Sequence, residues 1–185
     1  MTLKIDLQFI AEEALEKGDE NVAFRSFLKN LDMRSRDLDA IVHEIYEEVS
    51  AQIDCTQCAN CCKVTRPVLT QQDVTRFANG LAIAPPIFLE THLIPHDERP
   101  GKFKFNAQPC PFLADDLCTN YAARPQVCSS FPHLHKKDFR SRLWNVVFNY
   151  ELCPIVYHVY EQLKRELWQD DDFLEDDDFL GYLEW

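Results

Sequence analysis

The most distinctive segment of the sequence is Cys55-Thr56-Gln57-Cys58-Ala59-Asn60-Cys61-Cys62, which places four thiols within eight residues. A Cys-x-x-Cys step lets two thiolates converge on one centre, and two successive steps deliver three thiolates, as in the loops that hold iron–sulfur clusters. Cys61 and Cys62 are adjacent, so their side chains diverge unless the backbone turns sharply. Packing alone gives no reason for such a density of thiols. The stretch therefore predicts a metal centre.

Further ligands must come from later in the chain, since the economical reading gives one centre to Cys55, Cys58 and either Cys61 or Cys62. The candidates are Cys110, Cys118, Cys128 and Cys153. Cys110 and Cys153 both precede proline, as the remote ligand of bacterial ferredoxin loops does. Eight thiols allow one four-thiolate site with a surplus, or two all-cysteine sites. Taken singly, a remote cysteine could equally be a small buried apolar residue.

Several unlike motifs follow the first four cysteines in a fixed order, and together they carry a family resemblance. They are Pro109-Cys110-Pro111-Phe112-Leu113, Cys118 with Tyr121, Arg124-Pro125-x-x-Cys128, Phe131-Pro132 and Cys153-Pro154. In these motifs the chain resembles the CxxCxxCC (YkgJ-like) family, and more distantly the cysteine-rich part of flagellin lysine methylases. The resemblance covers roughly residues 55–155. It implies chelation of zinc or iron by the cysteines, and an iron–sulfur cluster in many members.

Arg124 and Tyr121 are candidates for groups that orient or hydrogen-bond the thiolates. Packing in a turn explains them equally well. His133 and His135 could ligate a metal from one face of a strand, although a solvated loop is the favoured interpretation of this basic stretch.

Composition excludes several classes of protein. The chain has only four glycines, so it lacks the loops that cradle nucleotides, and a protein-modifying enzyme such as a methyltransferase is disfavoured. Its net charge is −12, of which residues 169–185 supply −8. We expect no nucleic-acid partner, since binding to the phosphate backbone needs a basic surface.

The last residues form an acidic–aromatic tail that repeats Asp-Asp-Asp-Phe-Leu at 170–174 and 176–180. Such a segment is either disordered or docks onto a basic groove of this chain or of a protein partner, and the basic stretch from His133 to Arg142 is one candidate groove. The acidic first twenty residues do not fit a signal peptide, and no apolar run spans a bilayer. We therefore expect a cytoplasmic protein without membrane contact.

The rest of the sequence predicts a mainly α fold with a small β-element (α+β). Residues 1–54 form a helical scaffold, residues 55–168 the cysteine-cluster metal-binding domain, and residues 169–185 the tail. The elements expected from periodicity and capping are helices from Leu7 to about Gly18, Val22 to Leu31, Leu38 to Ile53, Thr70-Gln-Gln-Asp73 to Gly80, Pro85 to His92 and Pro154 to Trp168, strands at Lys102–Phe105 and Trp144–Tyr150, and a hairpin at Phe112–Cys118.

Two functions remain open. The first is an iron–sulfur protein, with a 4Fe–4S cluster as the favoured cofactor, acting in electron transfer or as an oxidoreductase-like accessory protein. The second is a zinc-stapled protein-interaction module without catalytic activity. Thiolates suit both metals, and no residue pattern assigns a reaction, so enzymatic activity stays undecided.

Overall fold

A computed structural model describes Leu3 and residues 5–168 of the chain. Its elements in chain order are helices α1 (Leu7–Glu16), α2 (Gly18–Asn30), α3 (Ser35–Ser50), α4 (Asn60–Val64), α5 (Gln71–Gly80) and α6 (Pro85–His92), strands β1 (Leu93–Pro95), β2 (Phe103–Phe105), β3 (Leu113–Ala114) and β4 (Leu117–Cys118), and helices α7 (Gln126–Ser129), α8 (Leu143–Tyr150) and α9 (Pro154–Leu167). Short 3₁₀ turns span Cys55–Gln57, Tyr121–Ala123 and Phe139–Arg142. The two interpretations of the acidic tail, disorder and docking, concern residues 169–185, which lie outside the described part of the chain.

The two sheets are small and antiparallel. Leu93 of β1 lies opposite Phe105 of β2, and Leu113 of β3 lies opposite Cys118 of β4. The mainly α fold with a small β-element is thus confirmed. Within the described part of the chain, no helix has the length and apolar character that crossing a bilayer requires.

The chain divides into two compact units. Unit 1 combines residues 1–50 with residues 135–185, of which the structure describes Leu3, 5–50 and 135–168, and unit 2 is residues 51–134. Unit 2 is therefore an insertion between α3 and the later helices of unit 1. The domain boundaries drawn from the sequence, at residues 54 and 168, stay predictions.

Unit 1 has its core around α9. Apolar side chains on three helices are buried there, at the spacing of an amphipathic helix: Leu38, Val42, Ile45 and Val49 on α3, Phe24 and Leu28 on α2, and Ile155, Val156, Val159, Tyr160 and Leu163 on α9. Burying a side chain of this size stabilises a fold by about 1.5–3 kcal/mol. Packing of these faces therefore supplies most of the stability of the helices.

The predicted strand over Trp144–Tyr150 is wrong, because these residues form α8. The alternation of Trp144, Val146, Phe148 and Tyr150 suggested a strand, but the residues buried in the structure are Leu143, Val146 and Tyr150. Their spacing of three and four residues is that of a helix. A short apolar run satisfies both periods, so sequence alone could not choose between them.

A polar network ties α9 to α1, α2 and α8. Lys164 Nζ lies 2.7 Å from both Glu20 Oε1 and Glu161 Oε1, and Lys17 Nζ lies 2.8 Å from Glu161 Oε2. The Tyr150 hydroxyl donates to Glu161 at 2.9 Å. Burial alone would raise the pKa of Glu161, but the hydrogen bonds from Lys164 and Lys17 outweigh it and lower that pKa below its usual 4.5.

Unit 2 has its own apolar core of aromatic rings. Phe77 of α5 lies 4.8 Å from Phe112 and 5.4 Å from Phe88 between ring centroids, and Phe105 lies 5.6 Å from Phe112. These edge-to-face and tilted pairs are favourable aromatic geometries. The predicted helix from the capping box to Gly80 is confirmed, as are the helix from Pro85, the short strand at Phe103 and the hairpin before Cys118.

We predict that Glu161→Gln lowers the free energy of unfolding by about 2 kcal/mol at pH 7, because Lys17 and Lys164 each lose one of their two carboxylate partners. Since the folded pKa of Glu161 lies below 4.5, its stabilising effect is present above pH 4.5 and is lost as the pH falls through the folded pKa. Chemical denaturation between pH 3 and pH 7 measures both effects. Glu166→Gln, an exposed glutamate on the same helix, is the control. Equal loss in both variants would contradict the prediction.

Candidate metal centre

The first four cysteines lie on two short turns. Cys55 begins a 3₁₀ turn that is capped by Asp54, whose carboxylate accepts from the Thr56 amide at 2.9 Å. Cys61 and Cys62 lie in α4. Between the two turns, Ala59 is in the left-handed region with a φ of +49°. This residue follows the 3₁₀ turn and precedes α4, in which the side chains of Cys61 and Cys62 diverge as consecutive residues of a helix do.

Two contacts hold later cysteines against the first four. The Cys110 amide donates to the Cys62 carbonyl at 2.9 Å. Lys63 Nζ, next to Cys62, lies 2.6 Å from Asp116 Oδ1 in the turn of the β3–β4 hairpin, which carries Cys118. The backbone contact positions Cys110 directly. The ion pair is half-exposed and weaker, but it orients the hairpin.

Cys128 is positioned by α5. Asp73 is nearly fully buried, and its Oδ1 accepts from the Gln126 amide at the start of α7, at 2.8 Å. Its Oδ2 completes the capping box with Thr70, and Arg76 donates to the Arg124 carbonyl at 2.7 Å. Burial alone would raise the pKa of Asp73, but hydrogen bonds from Gln126 and Thr70 lower it. The carboxylate therefore stays charged at neutral pH and fixes the segment that carries Arg124 and Cys128.

Electrostatics show that these thiols share one neighbourhood. The hydrogen bond with the Cys61 thiol lowers the pKa of Cys62 to about 7, against the effect of desolvation. Desolvation, with the charge at Cys62 adding to it, raises the pKa of Cys128 to about 12. Desolvation also raises the pKa of Cys55, Cys110 and Cys118, and Cys62 again adds to the effect. Cys62 thus lies within electrostatic reach of all four.

Arg124 is the cation of this neighbourhood. Its guanidinium carbon lies 3.4 Å from the centroid of the Tyr121 ring, a close cation–π contact. Its charge lowers the pKa of Cys62, and it opposes the desolvation that raises the pKa of Cys55, Cys118 and Cys128. Arg124 therefore favours the thiolate form of four cysteines, and Lys63 adds to this effect at Cys62.

Gly80 allows the turn before Arg124 to lie close to α5. A Cβ at this position would be 2.5 Å from the Ala123 Cβ and from Asn120 Oδ1. Asn120 donates to the Phe77 carbonyl at 2.8 Å, which fastens the 3₁₀ turn Tyr121–Ala123 to the end of the helix. The sequence predicts Gly80 only as the end of a helix. The close approach of the turn to this helix also requires a residue without a Cβ.

Seven of the candidate ligands belong to unit 2, namely Cys55, Cys58, Cys61, Cys62, Cys110, Cys118 and Cys128. Cys153 belongs to unit 1, where it is buried at the start of α9 and its carbonyl accepts from the Tyr157 amide. Its role as a ligand stays a prediction. All eight cysteines lie in the described residues, and none of them forms a disulfide.

The histidines of the basic stretch have other contacts. Ser130 Oγ and His133 Nδ1 are hydrogen-bonded at 2.9 Å, and the His135 ring packs 5.9 Å from the ring of Tyr46. These contacts support the interpretation that the two histidines are not ligands.

In the described residues, no three or more Cys, His, Asp or Glu side chains already converge on a point where a metal ion would sit. The thiols of unit 2 therefore do not form a closed coordination shell in the described structure. Chemically this donor set fits zinc or iron, because soft thiolates bind both metals and Arg124 balances part of the charge.

Comparison with known proteins agrees with this chemistry. The model of a family named CxxCxxCC, described as "Putative zinc- or iron-chelating domain", matches residues 54–146, which is half of the chain. No curated protein and no solved structure matches the chain. The resemblance to flagellin lysine methylases therefore stays a prediction.

We predict that Asp73→Asn destabilises unit 2 by about 2 kcal/mol, because the amide cannot accept all the hydrogen bonds that the two carboxylate oxygens accept. Thermal unfolding of the purified protein measures the loss. Gln72→Ala, a neighbouring exposed position, should unfold like the wild type. Unchanged stability of Asp73→Asn would show that the bond to α7 is not needed to hold Cys128.

Proposed function

Because this chain belongs to the CxxCxxCC family, we propose that its unit 2 chelates zinc or iron through cysteine thiolates. The observation that carries the proposal is the position of Cys62, which lies within electrostatic reach of Cys55, Cys110, Cys118 and Cys128. The proposal is further supported by the separation of these thiols in sequence, which reaches 73 residues between Cys55 and Cys128. Packing alone gives no reason for so many ionisable, metal-ligating thiols in one unit.

The finer proposal is that the metal is iron in an iron–sulfur cluster, most simply of the 4Fe–4S type, and that the protein transfers electrons or assists an oxidoreductase. The two successive Cys-x-x-Cys steps support it, because three thiolates from one loop and one remote thiolate are a common cluster ligation. When bound, such a cluster supplies one-electron redox chemistry. Cys55 is exposed while the other six thiols of unit 2 are partly buried, so one edge of the site faces solvent.

The chain's own residues would then bind and tune the centre. The proposed ligands are drawn from the seven cysteines of unit 2, and Cys153 remains an eighth candidate. Arg124 would offset the negative charge that thiolates accumulate, and a fixed cation raises the reduction potential of the group beside it. The aromatic core behind Phe112 would limit the access of water to the buried side.

A specific observation also favours the alternative, a zinc-stapled interaction module. The elements of unit 2 are short, with two residues each in β3 and β4 and four in α7. Folds with so little regular structure often depend on a closed thiolate site for their stability. In this case zinc would hold the loops together and catalysis would be absent.

Metal and sulfide analysis after anaerobic purification separates the two candidates. For the cluster we expect about four irons and four sulfides per chain together with visible charge-transfer absorbance. Colourless protein with stoichiometric zinc and no sulfide would replace the first candidate with the second. Protein that binds neither metal after reconstitution would overturn the chelation proposal as a whole.

Cysteine variants locate the ligands. We predict that Cys62→Ser and Cys110→Ser lose most of the bound metal, because a neutral hydroxyl is a poor substitute for a thiolate. Ser129→Ala, next to Cys128 and bonded only to the Gln126 carbonyl, is the matched control and should keep its metal. Cys153→Ser tests the eighth candidate, and full retention of metal would remove it from the ligand set.

Arg124→Gln should weaken metal binding about tenfold. This is the lower end of the loss in metal affinity that follows when a group supporting the ligands is removed. Competition with a chromogenic chelator measures the affinity. Arg124→Lys keeps the charge but not the planar stack on Tyr121, so we expect an intermediate affinity. Arg99→Gln, an exposed arginine of unit 2, is the control. If the centre is a cluster, Arg124→Gln should also lower its reduction potential. Wild-type affinity in Arg124→Gln would contradict the assigned role.

A further inference from the structure

Unit 1 carries an exposed surface that combines basic and aromatic side chains. Val22, Arg25 and Lys29 follow one another at helical spacing on α2, and Trp144 and Phe148 are one turn apart on α8. We call these five residues the α2–α8 surface. Val22, Trp144 and Phe148 are 41%, 46% and 65% exposed. Large aromatic side chains grouped in this way on a surface commonly mark a binding site.

Contacts within the α2–α8 surface leave it able to bind an anionic, aromatic ligand. The Trp144 and Phe148 rings are stacked with centroids 5.9 Å apart, and the Arg25 guanidinium carbon lies 4.0 Å from the Trp144 centroid. The Nε of Arg25 is shielded from solvent and donates no hydrogen bond to another described residue. Lys29, one turn further along α2, is exposed.

The described chain ends on the same helix. Trp168 follows α9, and its ring stacks on Phe24 and Phe27 of α2, with centroids 5.3 Å and 6.3 Å apart. Phe24 and Phe27 lie on a different flank of α2 from Arg25 and Lys29. A segment that leads from Trp168 to the α2–α8 surface would need to cross about one helix width, roughly 10 Å. The 17 residues from 169 to 185 can span up to about 55 Å when extended, so their length is sufficient.

The composition of residues 169–185 complements this surface. The segment has eight acidic residues and no basic ones. Its repeat places three aspartates before Phe173-Leu174 and three before Phe179-Leu180. Carboxylates suit the guanidinium of Arg25 and the ammonium of Lys29, and the apolar pairs suit the rings of Trp144 and Phe148.

We propose that residues 169–185 bind back across α2 onto the α2–α8 surface of the same molecule. Aspartates of the repeat pair with Arg25 and Lys29, and a phenylalanine of the repeat packs against Trp144 and Phe148. The basic stretch from His133 to Arg142 is the weaker candidate, because its guanidinium groups are already engaged. Arg140 donates to the carbonyls of Leu31 and Met33, and Arg142 donates to those of Lys136 and Lys137.

Amide hydrogen exchange of the full-length protein, read on peptides that cover residues 169–185, tests the proposal. We expect exchange of these amides to be about tenfold faster in the double variant Arg25→Glu, Lys29→Glu than in the wild type, because the bound state of the segment is lost. Phe148→Ser should have a similar effect through the apolar contact. Raising the ionic strength should speed exchange in the wild type, since exposed ion pairs are screened.

The matched control is the double reversal Lys136→Glu, Lys137→Glu, which places the same charge change on the other basic stretch and should leave exchange of residues 169–185 unchanged. The reverse result, acceleration only in that control, would move the binding site and overturn the proposal. Equally fast exchange in the wild type and all variants would also overturn it. Protection that disappears on dilution would assign the segment to a second copy of the chain instead. Circular dichroism on each variant confirms that it is folded.

Discussion

Crowding of ionisable thiols around Cys62 is the constraint on which unit 2 depends. Four cysteines feel the charge of Cys62, and each added negative charge raises the cost of the next. A protein can sustain this arrangement in two ways, by keeping most thiols protonated or by supplying positive charge. Arg124 supplies one cation permanently, stacked on Tyr121. A divalent metal or an iron–sulfur cluster would supply further positive charge.

The scaffold meets this constraint with contacts that lie away from the thiols. Asp73 connects the start of α5 to the start of α7, and Gly80 lets the turn before Arg124 lie against the end of α5. One ten-residue helix therefore fixes both the cation and Cys128. The aromatic core beneath α5 holds the helix in place, so apolar packing and metal chemistry are coupled through a single element.

The sequence predicted the features that depend on local patterns, and missed those that depend on tertiary contacts. The capping box at Thr70, the helix from Pro85 and the hairpin before Cys118 follow from residue type and spacing, and the structure confirms them. The sequence predicts a strand where the structure has α8, because the apolar residues fit the period of a strand as well as that of a helix. Only the burial of Leu143, Val146 and Tyr150 distinguishes the two. The second role of Asp73 could not be read either, since its partner Gln126 lies 53 residues away. For the same reason the order of motifs indicated chelation, but not which thiols lie closest to Cys62.

The division of unit 1 into two chain segments has a consequence for the order of folding. Helix α3 buries its apolar face against α9, yet the two helices are separated by the whole of unit 2. During synthesis on a ribosome, α3 is complete about a hundred residues before α9. Its apolar face therefore cannot pack against α9 until that helix has been synthesised. Unit 2 is continuous in sequence and can close first. Once it has folded, the flexible loop that separates α3 from α9 becomes shorter, and each halving of that loop recovers about 0.6 kcal/mol of closure entropy. Metal supply during synthesis would thereby influence the assembly of helices that hold none of the first four cysteines.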